Sequence, residues 1–508
     1  MVDAREYHER TNHSPRKLRE SDFRLDPATK PRPYKVYENR PRRTPTASPD
    51  PPETPALAAV VQSTPVPTVN GGSPSGPPDI YTLCHYATGV TKELEVRGRQ
   101  MRFRAASCTG KLYHVDLYAV TGDCDEFEPG IYHFDPAEGA FDVLREGDYR
   151  GVLAAAAGGH DAVADAPVTF VATSEWWRNA WKYRERTYRH AFWDSGTILA
   201  NLLAAAHGAG HRASVVTAFA DDPVAELLGV DPDDEAPVEL IPVGSADPVP
   251  DPVEFDAIDP EEKPLSTDRE EYPLIAEAWR QSTLSDGEEA IEWRRNAADT
   301  TDLGTHAPGD GERIDLDPVD SETASARPVG NTIERRGSLR EYSHEAISDR
   351  KLATILDRAL RGVPTDVGSA APGRFVDCYC LVHAVDGVPS GAYQYHPDDD
   401  LLERIGSTDR RTAGHIALDQ PVVGDAAVNV YLMADVDRIV EMLGNRGYRL
   451  AQLEGGITLG RLYLATYAHR KLGGRGFTFH DDLVTEHLSA RASNQTPMTM
   501  FAFGKADK

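Results

Sequence analysis

Polar and apolar positions alternate in two pairs of short runs, HVDLYAV from His114 with GIYHF from Gly130, and VDCYCLVHAV from Val376 with GAYQY from Gly391. A period of two, filled by aromatic and β-branched residues, predicts strands on a pleated surface. The period becomes helical in DSGTILANLLAAAHG from Asp194 and EGGITLGRLYLATYAHRK from Glu454. Both stretches are rich in small residues, which let two helices approach closely. AFADD and TFHDD then open further helices, with Asp221 and Asp481 at the positions where an N-cap satisfies free backbone donors.

These paired elements follow one order because the chain repeats. A shift of 260 residues, with no gap, lays Tyr188, Arg189, Gly196, Leu202, Phe219, Asp221 and Glu226 on Tyr448, Arg449, Gly456, Leu462, Phe479, Asp481 and Glu486. Upstream, PGIYHFDP from Pro129 meets SGAYQYHP from Ser390 at a shift of 261. Two collinear matches point to duplication. The expected organisation is an N-terminal arm (1–39), a Pro-rich disordered linker (40–78), a first domain (79–245), an acidic linker (246–327) with a short helix at 270–284, and a second domain (328–508).

Length agrees, since 508 residues exceed what one core usually organises. Charge narrows the partners: 81 acidic against 54 basic residues give a net charge of −27, which disfavours nucleic acid. Residues 247–322 alone hold 23 acidic and 6 basic side chains. The acidic, Lys-poor surface resembles that of proteins from salt-loaded cytoplasms, so a halophilic source is expected. Five cysteines without a C-x-x-C pair suit a reducing cytoplasm, and no apolar run is long enough to span a bilayer. The 17 histidines form no metal motif, H-E-x-x-H being absent, and no G-x-G-x-x-G follows a strand.

The sharpest chemical signal is Glu334-Arg335-Arg336-Gly337-Ser338-Leu339-Arg340-Glu341-Tyr342, ahead of the helical AISDRKLATILDRALRG. Two guanidinium groups and a hydroxyl at a helix entrance suit a phosphate monoester; the plain alternative is a solvated basic turn. This motif, R-G-S-L-R with a following aromatic residue, resembles the FMN-phosphate motif of the nitroreductase superfamily. YHERTNHSP, PRPYKVY, RAASCTGKLYHVDLY, WKYRERTYRHAFWDSG and FADD resemble, in order, its SagB/ThcOx-type dehydrogenase branch.

The resemblance implies an α+β fold of two nitroreductase-like domains forming an intrachain pseudo-dimer, an FMN-dependent oxidoreductase with flavin held where the copies meet. The copies are unequal. Arg336, Ser338 and Arg340 of the second would hold the phosphate, and its glycine-rich turn, Gly474, Arg475 and Gly476, would approach the flavin edge. The first would contribute Ser107, Cys108, Thr109 and Gly110 in place of the family's Pro-Ser segment; Cys108 reads equally as a small buried thiol. The second copy has only Gly368-Ser369-Ala370-Ala371 there. Lys182 and Tyr183 match the branch's catalytic Lys-Tyr pair, and Met442 and Leu443 replace them in the second copy; the alternative is a surface helix beside Trp176, Trp177 and Trp181. The implied activity is oxidation of azolines to azoles in modified peptides, with a peptide-cyclodehydratase complex as partner. Two other readings stay open: an NAD(P)H-dependent reductase of nitro compounds or quinones acting on small molecules, and a non-catalytic subunit of a peptide-modifying complex. Association of whole chains into a homo-oligomer is left open.

Overall fold

The computed structural model describes residues 2–61, 76–96, 98–124, 126–246, 248–298, 303–304, 307–320, 327–367 and 374–507. The alternating runs of each half pair as neighbours, Tyr118 opposite His133 in the first and Tyr379 opposite Gln394 in the second. Each pair seeds an antiparallel sheet of the same order. The first runs Arg42–Arg43, Ala140–Glu146, Gly130–Asp135, Val115–Thr121, Val168–Glu175, Glu235–Val243. The second runs Arg313–Asp315, Leu401–Gly406, Gly391–His396, Asp377–Val382, Val428–Ala434, Thr496–Lys505, with Leu472–Gly476 added at the far edge.

Alternation here separates two cores and not core from solvent. Val115, Leu117 and Ala119 face a central core that also takes Cys378, Cys380 and Val382 of the second domain. The residues between them, Tyr118 and Val120, enter an outer core of the first domain, and Tyr379 and Leu381 enter that of the second. One shared core therefore joins the domains, as an intrachain pseudo-dimer requires.

Its axis is the crossing of Thr187–Gly208 and Val436–Ala468, the two long helices. A Cβ added to Gly196 would lie 2.5 Å from the Gly456 backbone, and one on Gly456 would strike the carbonyl oxygen of Phe192. Gly196→Ala should therefore overpack the joint and cost about 1–3 kcal/mol. Denaturant midpoints check this, with Gly406→Ala, where nothing lies within 4 Å, as the control; equal midpoints for both variants would refute the close approach.

Both linkers are more structured than their composition suggests. Of 40–78, residues 62–75 lie outside the described residues, but Arg42–Arg43 forms a sheet edge and Ala56–Ala59 packs its Ala56 and Leu57 into the central core. The acidic 246–327 segment contains Pro273–Arg280 inside the expected helix, a second helix at Gly287–Ala297, and Arg313–Asp315, which pairs with Leu401–Gly406 as Arg42–Arg43 pairs with Ala140–Glu146. Each linker thus supplies the equivalent edge strand. In the N-terminal arm, Tyr7, on the Ala4–Thr11 helix, sits edge-on to both Tyr188 and Tyr448.

Asp221 and Asp481 are not N-caps. They begin the helices Asp221–Leu228 and Asp481–His487, behind Ala220 and His480, and their carboxylates are buried. Asp481 accepts from Arg186 and Arg189 of the first domain, while Asp221 accepts from Arg446 and Arg449 of the second. The two ion-pair sets exchange partners across the joint, one residue-for-residue shift of 260 apart.

Candidate active site

Helix Trp176–Tyr183 ends at Arg184, which takes the left-handed φ of 50°. A shift of 260 places Gly444 there in the second copy, also at positive φ, 64°, within the Val436–Ala468 helix. Both copies need the kink, but only the second fills it with the residue that adopts it freely. In the first, strain is retained directly after Lys182-Tyr183, and Lys111 and Tyr113 add left-handed backbone (φ 60° and 52°) across from them.

The strained helix end brings Tyr183 onto the loop carrying Ser107, Cys108, Thr109 and Gly110. A Cβ on Gly110 would stand 2.9 Å from the Tyr183 hydroxyl oxygen, so this position admits only glycine while the ring stays there. Asp194 holds the loop from behind: it accepts from the Thr109 backbone N–H and hydroxyl at 2.9 and 2.8 Å, and from the Cys108 thiol at 3.1 Å. His114 Nε2 lies 2.9 Å from the same carboxylate, and Thr197 donates to the Ser107 carbonyl. The space behind the loop, between Cys108, Tyr113, Asp194 and Ile198, is ≈ 10 Å³, about one water. A ligand must therefore use the outer face.

The second copy meets this loop. Arg336 donates through Nε to the Ala105 carbonyl at 2.7 Å and through Nη2 to those of Arg104 and Ala106, with its guanidinium over the Tyr463 ring. Ser338 and Arg340 are exposed, and no described residue hydrogen-bonds or ion-pairs with either side chain. The motif does not stand at a helix entrance. It follows the Val329–Arg335 helix, whose C-cap is Arg336, and the next helix begins only at Asp349. The expected glycine-rich turn is likewise the edge strand Leu472–Gly476, paired with Thr496–Lys505. Gly474 is required by the Phe501 ring and accepts from the Leu339 N–H at 3.3 Å, which lays the arginine loop along the strand. Gly476 donates to the Tyr463 hydroxyl at 2.7 Å.

Electrostatics set the protonation states. Burial, then Arg475, then Lys30 depress the Lys182 ammonium below its ordinary range. Burial and the neighbouring Asp194 and Cys108 raise the Tyr183 phenol well above its own. Burial and Asp194 likewise raise the Cys108 thiol, which stays protonated and donates. Lys182, Tyr183, the 107–110 loop and Arg475 thus converge, with Arg336, Ser338 and Arg340 along the adjoining strand. Gly368–Ala371, the converse loop, lies outside the described residues.

The residues fit FMN on two grounds. A hydroxyl and a guanidinium without hydrogen-bond or ion-pair partners among the described residues, plus the Nη1 of Arg336, suit a phosphate, and the Tyr463 and Tyr467 rings, stacked at 18°, lie under Arg336 and Arg335 of the same segment. Asp194 escaped the motif reading, although the repeat pairs it with Glu454, which accepts the Phe375 N–H in the second copy.

Residues 99–245 match the model of the Nitroreductase family. A Methanocaldococcus jannaschii protein named "Putative nitroreductase MJ1384" is 27% identical over 166 residues, covering 30% of this chain and 79% of that protein. The crystal structure of "a putative nitroreductase" from Anabaena variabilis superposes with a TM-score of 0.77 at 22% identity, covering 100% of both chains. The fold is accordingly that of two nitroreductase-like domains. Among the described residues no helix is long and apolar enough to cross a membrane.

Proposed function

We propose that the chain is an FMN-dependent oxidoreductase with one flavin site between its two domains, and that it oxidises azolines to azoles in a modified peptide. The family match supports the oxidoreductase class. The observation that carries the finer reading is the placement of Lys182 and Tyr183 against the Ser107–Gly110 loop, beside Arg475 of the other domain. Bound FMN would supply a two-electron acceptor for hydride. Arg336, Ser338 and Arg340 would hold its phosphate, and the 107–110 loop would lie toward its ring. Aromatising an azoline also releases a proton from carbon, and Lys182, biased toward its neutral amine, accepts it. Tyr183 stays protonated and orients substrate as a donor.

Lys182→Ala should lower azoline oxidation by about 10²–10⁴-fold, the usual share of a general base, with flavin content unchanged. The same variant should still reduce nitro compounds or quinones with NAD(P)H, which need no such base. In the wild type the rate should climb as pH rises through the depressed Lys182 pKa. Lys182→Ala that oxidises azolines at the wild-type rate, or a wild type that reduces quinones but never oxidises an azoline, favours the reductase reading. A chain unable to take up FMN favours the non-catalytic one.

A further inference from the structure

Four basic side chains, three of them cations beside the Lys182 base, lie about the 107–110 loop, and each rests on an aromatic ring. Lys30 Nζ lies 5.8 Å from the Trp181 ring centre, Lys111 Nζ 3.7 Å from Phe103, Lys182 Nζ 5.1 Å from Tyr183, and the Arg475 guanidinium 4.9 Å from Phe477. They belong to the N-terminal arm, the first domain and the second. Lys30 is close enough to depress both Lys111 and Lys182, and Arg475 adds to the effect on Lys182. Among the described residues no carboxylate pairs with any of them, in a chain of net charge −27. The acids nearby are engaged otherwise: Asp26 caps its own turn at the Ala28 N–H, and Asp194 is buried behind the loop.

An aromatic face holds a cation without neutralising it. Placing cations on rings therefore keeps positive charge at the mouth where carboxylates would cancel it, against the field of the rest of the surface. The arm is held there by the Trp181 indole N–H, which donates to the Asp26 carbonyl at 2.9 Å.

We propose that this mouth selects an anionic substrate, with a carboxylate or phosphate group entering between Lys30, Lys111 and Arg475. The inference names the substrate class of the flavin site proposed above and rests on that reading for the reaction, though not for binding.

The test is equilibrium binding to the full chain by calorimetry, using 4-nitrobenzoate against its neutral isostere 4-nitrobenzamide, with flavin absorbance read on the same samples. A second arm compares NADPH with NADH. The wild type should bind the anion of at least one pair about tenfold more tightly, and the preference should shrink as salt rises. Lys30→Glu/Lys111→Glu should abolish it, Lys30→Gln/Lys111→Gln should halve it or more, and Lys30→Arg/Lys111→Arg should restore it. Loss in the benzoate arm places the anion on the substrate; loss in the nucleotide arm places it on the 2′-phosphate of a nicotinamide nucleotide. Equal affinities within both pairs, or a preference that survives charge reversal, overturn the proposal. A chain without a flavin band that still prefers the anion refutes the flavin reading and leaves this one standing.

Discussion

Changing Arg336 and Arg340 together to alanine should leave the purified chain without FMN, as read from the visible flavin band and from phosphorus content. Each guanidinium contributes charge-assisted hydrogen bonds to a phosphate, and removal of both should weaken binding at least a hundredfold. The two do different work. Arg340 is exposed and forms no hydrogen bond or ion pair with a described residue, so Arg340→Ala should weaken FMN with no change in the unfolding midpoint. Arg336 also holds the carbonyls of Arg104, Ala105 and Ala106, so Arg336→Ala should lower both flavin affinity and stability. Arg336→Lys keeps the charge but not the fork, and should recover little. One FMN per wild-type chain and none in the double variant is the expected stoichiometry. Retention of half the wild-type flavin would reveal a second site and sink the single-site reading.

The two-domain plan was legible because the repeat resides in residue identities. A register of 260 matches Tyr188 to Tyr448 and Arg189 to Arg449 whatever the backbone does, and the same register exposes Met442 and Leu443 where Lys182 and Tyr183 stand. Local geometry was less legible. Arg336 to Arg340 reads as a helix entrance because AISDRKLATILDRALRG follows, yet the chain first runs extended along Leu472–Gly476, a partner distant in sequence. Gly474 and Gly476 read as a turn because glycine permits one; here Gly474 makes room for Phe501, a packing demand that no short window contains. Composition misled in the linkers for the same reason. Two or three residues suffice for an edge strand when the neighbouring sheet supplies the hydrogen bonds, as Arg42–Arg43 and Arg313–Asp315 show.

Arg184 joins the two levels. The matched Gly444 carries the same kink at positive φ, while Arg184 at φ 50° stands in the copy that has Lys182 and Tyr183. Strain of this kind costs on the order of 1–3 kcal/mol and persists where surroundings over-determine it. Here those surroundings are Gly110 against Tyr183 and the Arg184 guanidinium on the Phe23 ring.

Asp481→Asn should be among the most destabilising single changes in the chain, and Asp221→Asn should match it. Both carboxylates are buried, and each compensates two buried guanidinium groups of which none reaches a second carboxylate among the described residues. Removing one partner of a buried pair typically costs about 3–5 kcal/mol because the remaining charge stays desolvated. Asparagine keeps the shape and one acceptor, so the loss should fall near the lower figure, read as a drop in denaturant midpoint at unchanged slope. Arg186 and Arg189 hold the Asp481 carboxyl far below the usual carboxylate range, outweighing the opposing effect of burial. A depressed folded pKa contributes stability that is present above the unfolded value, near 4, and is lost as pH falls through the folded one. The gap between wild type and Asp481→Asn should therefore be constant at neutral pH and close under strong acid. Since Arg186, Arg189 and Asp481 span the two domains, the variant should also loosen the joint at which the flavin site is proposed. A midpoint within experimental error of wild type would mean that water reaches these arginines and that the exchanged ion pairs do not hold the domains together.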